Sequence, residues 1–368
     1  MIPDVTAGSR PIAADGPEAV PEGARLLHIG PPKTGTTTLQ AAFHRARDEV
    51  LQQGVRYIGP QRHSRRAVLA ALADTDAPLN RRWDVRAGNR EWERIAAEVE
   101  RTLEPRLLFS SERLSHSDAA AIRRIVDVFD PSRVQVVTTL RPLWKVMPSQ
   151  WQQAIQAGAR ESLDVWLERV FADAVDDPRS FWHWQRHDRL IARWAEAVGT
   201  ERMLAVVVDE SDHAMVLRTF ERLLALQPDT LKLHPDLANR SLTVPEVETL
   251  RAFNRAARQN NIPIDSSWRL IKPGPRMKRR TPAKDEPRIR LPDWAAPRVA
   301  AIADEIVAGI EASGVRVVGE LGALGSPALG VEPDAQGRSS VRPLAAALAH
   351  RSLRRCATAA RAVRSRLR

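Results

Sequence analysis

The run Arg25-Leu-Leu-His-Ile-Gly30 is short and apolar, and it stops abruptly at Gly30-Pro-Pro32. From Thr36 to Arg47 the pattern turns helical, with Leu39, Ala42, Phe43 and Ala46 spaced for one face. Strand, loop and helix in that order make the loop a place for an anion, because a helix N-terminus adds a partial positive charge and glycine lets backbone amides approach closely. The segment Gly30-Pro-Pro-Lys-Thr-Gly-Thr-Thr-Thr-Leu39 supplies the glycines, hydroxyls and lysine of a phosphate cradle.

The same alternation continues along the chain. Short apolar runs recur at Val55–Ile58, Arg106–Ser110, Val134–Leu140 and Met203–Val208, separated by helical segments near 91–103, 118–129, 143–157, 162–172 and 182–198. This predicts an α/β fold in which a mostly parallel sheet is covered by helices on both faces. Further helices are expected at 214–225, at 244–259 with Thr243 and Glu246 forming a capping box, and at 293–313. Residues 1–23 read as a disordered leader, 24–321 as the domain, 322–342 as a linker and 343–368 as a basic, helical tail.

The position of the lysine separates two chemistries. A nucleotide-triphosphatase loop places lysine directly after its second glycine, where it reaches the β- and γ-phosphates. Here Gly30 and Gly35 have that spacing, but Thr36 stands at the lysine position and Lys33 lies inside the loop. A kinase or NTPase also needs a strand ending in a Mg²⁺-binding acid, for which Val206-Val-Val-Asp209 is the one available run.

Pro32-Lys-Thr-Gly-Thr-Thr37 resembles the 5′-phosphosulfate loop of sulfotransferases that use 3′-phosphoadenosine 5′-phosphosulfate (PAPS). A second segment extends the resemblance: in Val136-Val-Thr-Thr-Leu-Arg-Pro-Leu-Trp-Lys-Val-Met-Pro-Ser149 a strand ends at Arg141-Pro142 and a serine follows on a helix. The resemblance implies a P-loop-like fold in which Arg141 and Ser149 hold the 3′-phosphate. It implies further that Thr34, Gly35, Thr36, Thr37 and Thr38 bind the 5′-phosphate with Lys33. The segment departs from the common pattern in reading Arg-Pro-Leu, and Pro148 is expected to kink or delay the helix that carries Ser149.

In sulfuryl transfer a group passes in line between two oxygens, so the protein must position it, stabilise charge on the leaving phosphate and supply a base. Lys33 is the candidate for the leaving charge. Glu112 is the candidate base, delivered with Ser110 and Ser111 to the strand-end rim by Leu107-Leu-Phe109, and His116 is its alternative. A capping role for Ser111 and Glu112 competes with catalysis. Ser180-Phe-Trp-His-Trp184 and Trp151 suggest an aromatic acceptor platform, though Trp182, Trp184 and Trp194 fit core packing better, and the His183/His187 pair lacks the carboxylate a metal site would need. In the basic loop from Lys272 to Arg290, Arg276 and Lys278 are further candidates for contacting the donor.

Composition bounds the rest. The single cysteine, Cys356, excludes an internal disulfide framework, no apolar run reaches membrane-spanning length, and the first residues lack the basic and apolar regions of a signal peptide. The expectation is a cytoplasmic enzyme needing no metal, with a hydroxyl or amine acceptor such as a carbohydrate, lipid headgroup or small molecule. The net charge is +11, and after Asp334 every charged residue is an arginine. That tail lacks interleaved aromatics, so no specific nucleic acid is expected, and contact with an anionic membrane surface is the alternative. A P-loop kinase or NTPase and a catalytically inactive PAP-binding protein are the rival readings.

Overall fold

The computed structural model describes residues 10–11, 16–72, 85–234, 240–260, 274–278 and 280–325. Its seven strands are β1 (Arg10–Pro11), β2 (Arg25–His28), β3 (Val55–Tyr57), β4 (Arg106–Ser110), β5 (Val134–Leu140), β6 (Met203–Val207) and β7 (Arg316–Val318). They form one sheet in the order β1-β7-β6-β5-β2-β4-β3, and every pairing is parallel. The α/β class expected from the alternation is the one found. From β2 the chain builds outward to β3 and β4 on one side, then crosses to β5, β6 and β7 on the other. The C-terminal ends of β4, β2 and β5 therefore flank the point where strand order reverses, the crevice in which open parallel sheets bind ligands.

Alternation within the strands sends side chains to two helical layers. Leu26, Leu108, Val137, Leu204 and Val206 join a core with Phe43 of helix Thr36–Arg45 and Phe220 of helix Met215–Leu223. On the opposite face Phe109 meets Trp92 of helix Val85–Arg101 and Phe129 at the end of helix Ala119–Val128, with ring centroids 6.2 and 5.4 Å away. Each fully buried ring contributes roughly 2–3 kcal/mol of transfer free energy, which fixes the helices against the sheet.

The fold also departs from the sequence reading in particular places. Residues 16–23, assigned to the leader, pack against the sheet's unit: Val20 is buried, and its N–H donates to the Leu223 carbonyl at 2.8 Å. An isolated valine among prolines and acids carries no period, so the contact left no trace in the pattern. β1, β7 and helix Arg65–Leu72 were not anticipated, because strands of two and three residues are too short to show alternation. The helix expected at 182–198 is two helices, Phe181–Gln185 and His187–Val198, broken at Arg186 (ψ 85°). Ser180 caps the first of them by accepting from the His183 N–H at 3.2 Å.

The chain divides into two compact units. One contains the residues up to Leu143 together with Asp173–Ala238 and Arg298–Pro327, and so holds the sheet. The other contains Trp144–Ala172 and Asn239–Pro297. Within this second unit, Asn254 donates to the carbonyls of Ile155 and Ala159 at 2.8 and 2.6 Å, and Thr243 and Glu246 form the expected capping box on helix Val244–Gln259. Glu246 also accepts from Arg240 at 2.7 Å and from Arg280 at 3.0 Å; against the opposing effect of burial, Arg240, the Thr243 N–H and Arg280 hold its carboxyl down at about 2. Helix Leu143–Gln156 runs through Pro148 unbroken. The sequence-assigned tail and all but the start of the linker lie outside the described residues. Among the described residues no helix is long and apolar enough to cross a membrane.

Candidate active site

The loop after β2 is built on a network of buried polar groups. His28, the last residue of β2, lies fully inside with Nδ1 2.8 Å from Ser110 Oγ and Nε2 3.2 Å from Thr139 Oγ1. Thr139 Oγ1 is 2.8 Å from Thr34 Oγ1, whose hydroxyl donates to the Pro31 carbonyl at 2.7 Å. The ends of β4, β2 and β5 are thus tied to one another and to the loop beneath its turn. Gly30 is required by this packing: a Cβ there would stand 2.2 Å from Thr139 Oγ1 and 2.6 Å from His28 Nε2.

Above that base the backbone curls into an anion cradle. Lys33 has φ 77° and Gly35 φ 90°, both left-handed, so successive amides turn toward one side of the loop. A left-handed lysine costs about 1 kcal/mol or more and persists only where its surroundings hold it. Here Arg141 Nη1 donates to the Lys33 carbonyl at 3.2 Å. Gly35 is the N-cap of helix Thr36–Arg45, whose first amides, those of Thr36 and Thr37, have no carbonyl one turn back to accept from them. Among the described residues a Cβ built at Gly35 meets nothing within 4 Å, so they leave room for a ligand against those amides. Thr36 is buried with Oγ1 toward the Gly30 carbonyl at 3.4 Å, while Thr37 is partly exposed and Thr38 exposed.

Arg141 sits at the end of β5, as the sequence placed it, but its guanidinium already has a carboxylate. Nε and Nη2 grip Glu210 just beyond β6, the second contact at 2.9 Å. An anion that takes Arg141 must share or displace that partner. Sequence reading singled out Asp209 one residue earlier; it is exposed and spends its Oδ1 on the Ser211 N–H and hydroxyl at 2.8 and 2.6 Å. Ser149 lies on helix Leu143–Gln156, in the second unit, whereas Lys33, Glu112, His116 and Arg141 belong to the first.

Glu112 opens a short 3₁₀ helix, Glu112–His116, directly after β4. Ser111 does cap this turn, accepting from the Arg113 N–H at 3.3 Å, which leaves the partly exposed Glu112 side chain outside the cap. A second group not anticipated from sequence stands near it. Gln40 donates to the Ser110 carbonyl at 2.9 Å and has its Oε1 2.6 Å from His63 Nδ1, so the loop after β3 is bound to the β4 end. His63 is held below the usual histidine range by burial and Arg62, with Glu112 pulling the other way. His116 lies against Trp184, centroids 4.3 Å apart, and burial together with Arg113, His183, Arg193 and Arg65 pushes it down to about 3.

Helix Phe181–Gln185 is anchored beside the loop by Gln185, which donates to the Pro32 carbonyl at 3.1 Å. Trp182 and Trp194 are core residues, as expected, whereas Trp184 is only half-buried; Trp151, suggested for an acceptor platform, is buried in the second unit. His187 is buried with Nε2 3.3 Å from Gln185 Oε1. Among the described residues no three histidine, cysteine or acidic side chains are placed to hold a metal ion. In the basic loop, Arg280 is spent on Glu246 and Glu286, and the side chain of Arg276 lies outside the described residues.

The buried histidines make stability depend on pH in a defined window. Burial pushes His28 down to about 3 and His187 to about 4, against about 6.5 in an unfolded chain. Their neutral forms carry full stability above pH 6.5. Below it the unfolded chain takes up protons that the folded chain refuses, and stability falls by about 1.4 kcal/mol per pH unit for each residue. The loss continues down to about 4 for His187 and about 3 for His28. Urea unfolding should therefore show a loss of about 3 kcal/mol between pH 6.5 and 5 from these two residues. His116, also lowered to about 3, adds to the same loss, so a His187→Asn variant should show a slope shallower by about 1.4 kcal/mol per pH unit; stability that is flat across this window would contradict the burial of these histidines.

No family model matches the chain, and no curated protein sequence matches it. Among solved structures it is similar to the crystal structure of a sulfotransferase from Alicyclobacillus acidocaldarius. The identity is 18% over 67% of this chain and 98% of that one, with a TM-score of 0.37. At that score the likeness assigns no activity to this chain.

Proposed function

We propose that the protein is a sulfotransferase that moves the sulfuryl group of PAPS to a hydroxyl or amine acceptor. The observation that carries the reading is the loop from Gly30 to Thr38: a left-handed lysine inside an open backbone cradle at a helix N-terminus, with no lysine after the second glycine. Such a loop suits a phosphate ester whose leaving oxygen needs a cation, and lacks the cation that a triphosphate's β- and γ-phosphates require. Asp209, the acid that the sequence offers to a kinase, is committed to its own turn.

In this reading the amides of Thr36 and Thr37 and the hydroxyls around them hold the 5′-phosphate, and Lys33 stabilises negative charge as the sulfur–oxygen bond to that phosphate breaks. Glu112 takes the acceptor's proton while the acceptor oxygen or nitrogen bonds to sulfur, so the products are a sulfate ester or sulfamate, PAP and a protonated carboxyl. His116 is the poorer base. Its lowered basicity leaves it little drive to accept a proton at neutral pH.

Arg141 is assigned to the 3′-phosphate, in competition with Glu210. Charge-assisted bonds of this kind contribute roughly 1.5–3 kcal/mol, so Arg141→Ala should weaken PAP binding by about 10- to 100-fold while leaving adenosine 5′-phosphosulfate nearly unaffected. Glu210→Gln should strengthen PAP binding. Calorimetry on the three proteins decides the matter; equal losses for both ligands in Arg141→Ala would make Arg141 a strut for the Lys33 carbonyl and nothing more.

A further inference from the structure

A positively charged group with no carboxylate partner among the described residues lies next to the phosphate loop, on the 3₁₀ turn after β4 and the two helices facing it. Arg193 donates to the His183 carbonyl at 2.7 Å and reaches the Ser115 carbonyl at 3.5 Å, so it binds the turn to helix Phe181–Gln185. Burial lowers this guanidinium to about 10. The acids that act on it are engaged elsewhere: Asp118 accepts from the Ala121 N–H at 2.8 Å, Asp176 pairs with Arg189 at 2.7 Å, and Asp188 pairs with Arg186 at 2.7 Å. Neither Arg193 nor Arg113 has a carboxylate partner among the described residues.

The same group contains buried polar atoms with nothing to bond. His183 is 6% exposed and among the described residues its Nε2 has no hydrogen-bond partner; the same holds for His116 Nε2, Trp184 Nε1 and the Nε atoms of Arg113 and Arg193. Desolvated donors and an unneutralised guanidinium each cost free energy unless something completes them. Arg113, His116, Trp184 and Arg193 are each partly exposed, so the group borders solvent although these particular atoms are buried. Its position follows from Gln185, which fastens the Trp184 helix to the Pro32 carbonyl of the loop, and from Glu112, which opens the turn that carries His116.

We propose that this cluster binds an anionic group of the acceptor, a carboxylate in particular, carried on the same molecule as the hydroxyl or amine to be sulfated. The proposal rests on the sulfotransferase reading for the word acceptor, but the site is defined by Arg113, His116, His183, Trp184 and Arg193 themselves. Guanidinium edges match a carboxylate's two oxygens, the indole offers a flat face beside them, and neutral imidazole nitrogens suit neighbouring hydroxyls.

The test uses acids and the neutral amides that share their shape: glucuronate with glucuronamide, and 4-hydroxybenzoate with 4-hydroxybenzamide. Binding is followed by ligand-observed NMR on the full chain, with and without PAP. In at least one pair the acid should bind about tenfold or more tightly than its amide, as one or two charge-assisted bonds require. That preference should fall to about twofold or less in Arg113→Gln, and should survive in Arg193→Lys, which keeps the charge and guards against a folding defect in Arg193→Gln. Acid and amide binding alike in both pairs, or a preference untouched by Arg113→Gln and Arg193→Gln together, would overturn the site. Failure of PAP to bind would instead remove the sulfotransferase reading, because the acid preference is measured without PAP as well.

Discussion

Lys33→Ala should lower turnover of PAPS by about 10²- to 10³-fold, the range seen when one donor to a developing oxyanion is removed. The loss should exceed the change in PAP affinity, since the charge matters most as the bond to the leaving phosphate breaks. The backbone supplies a control that few lysines allow. Lys33 lies at φ 77°, a conformation glycine adopts at no steric cost. Lys33→Gly therefore keeps the loop's shape, and should lose as much activity as Lys33→Ala if the ammonium is what matters. Recovery of turnover in Lys33→Gly would assign the residue a backbone role instead. The readout is PAP release from PAPS in single-turnover experiments with the acceptor that supports the fastest reaction.

Glu112→Gln should lower turnover by about 10²- to 10⁴-fold with PAP affinity unchanged, because the amide keeps the side chain's size and hydrogen bonding but cannot accept the acceptor's proton. The fold separates this effect from loss of the turn: Ser111, not Glu112, caps the 3₁₀ helix, and Ser115 Oγ bonds the Glu112 carbonyl at 2.7 Å. The variant should therefore unfold at the same urea concentration as the parent. Since the Glu112 charge pulls His63 up against burial and Arg62, Glu112→Gln should push the His63 ionisation further down, as an NMR titration of its imidazole would show. Undiminished turnover in Glu112→Gln would exclude it as the base.

Much of this was legible because it lives in local pattern. The run ending at Gly30, the glycines of the loop and the capping box at Thr243 each encode their own geometry, and the strands from Arg25 to Val207 announced themselves as apolar runs between helices. What stayed hidden depends on partners far apart in sequence. Nothing near Arg141 says that Glu210, 69 residues on, will hold its guanidinium, and nothing near Glu112 points to His63 or Gln40. His28 and Thr139 did leave a signal, as polar residues inside strands buried on both faces. Such residues must hydrogen-bond to one another, and the strand ends they occupy are where the loop needed a base.

The most direct test of the central claim is a calorimetric comparison of PAP with ATP and Mg²⁺ on the purified chain. The account predicts micromolar or tighter PAP binding that is metal-independent and weakened in Lys33→Ala, with ATP bound far more weakly. Tighter binding of ATP with Mg²⁺ than of PAP would contradict it, and would mean that the loop from Gly30 to Thr38 serves a triphosphate despite the displaced lysine.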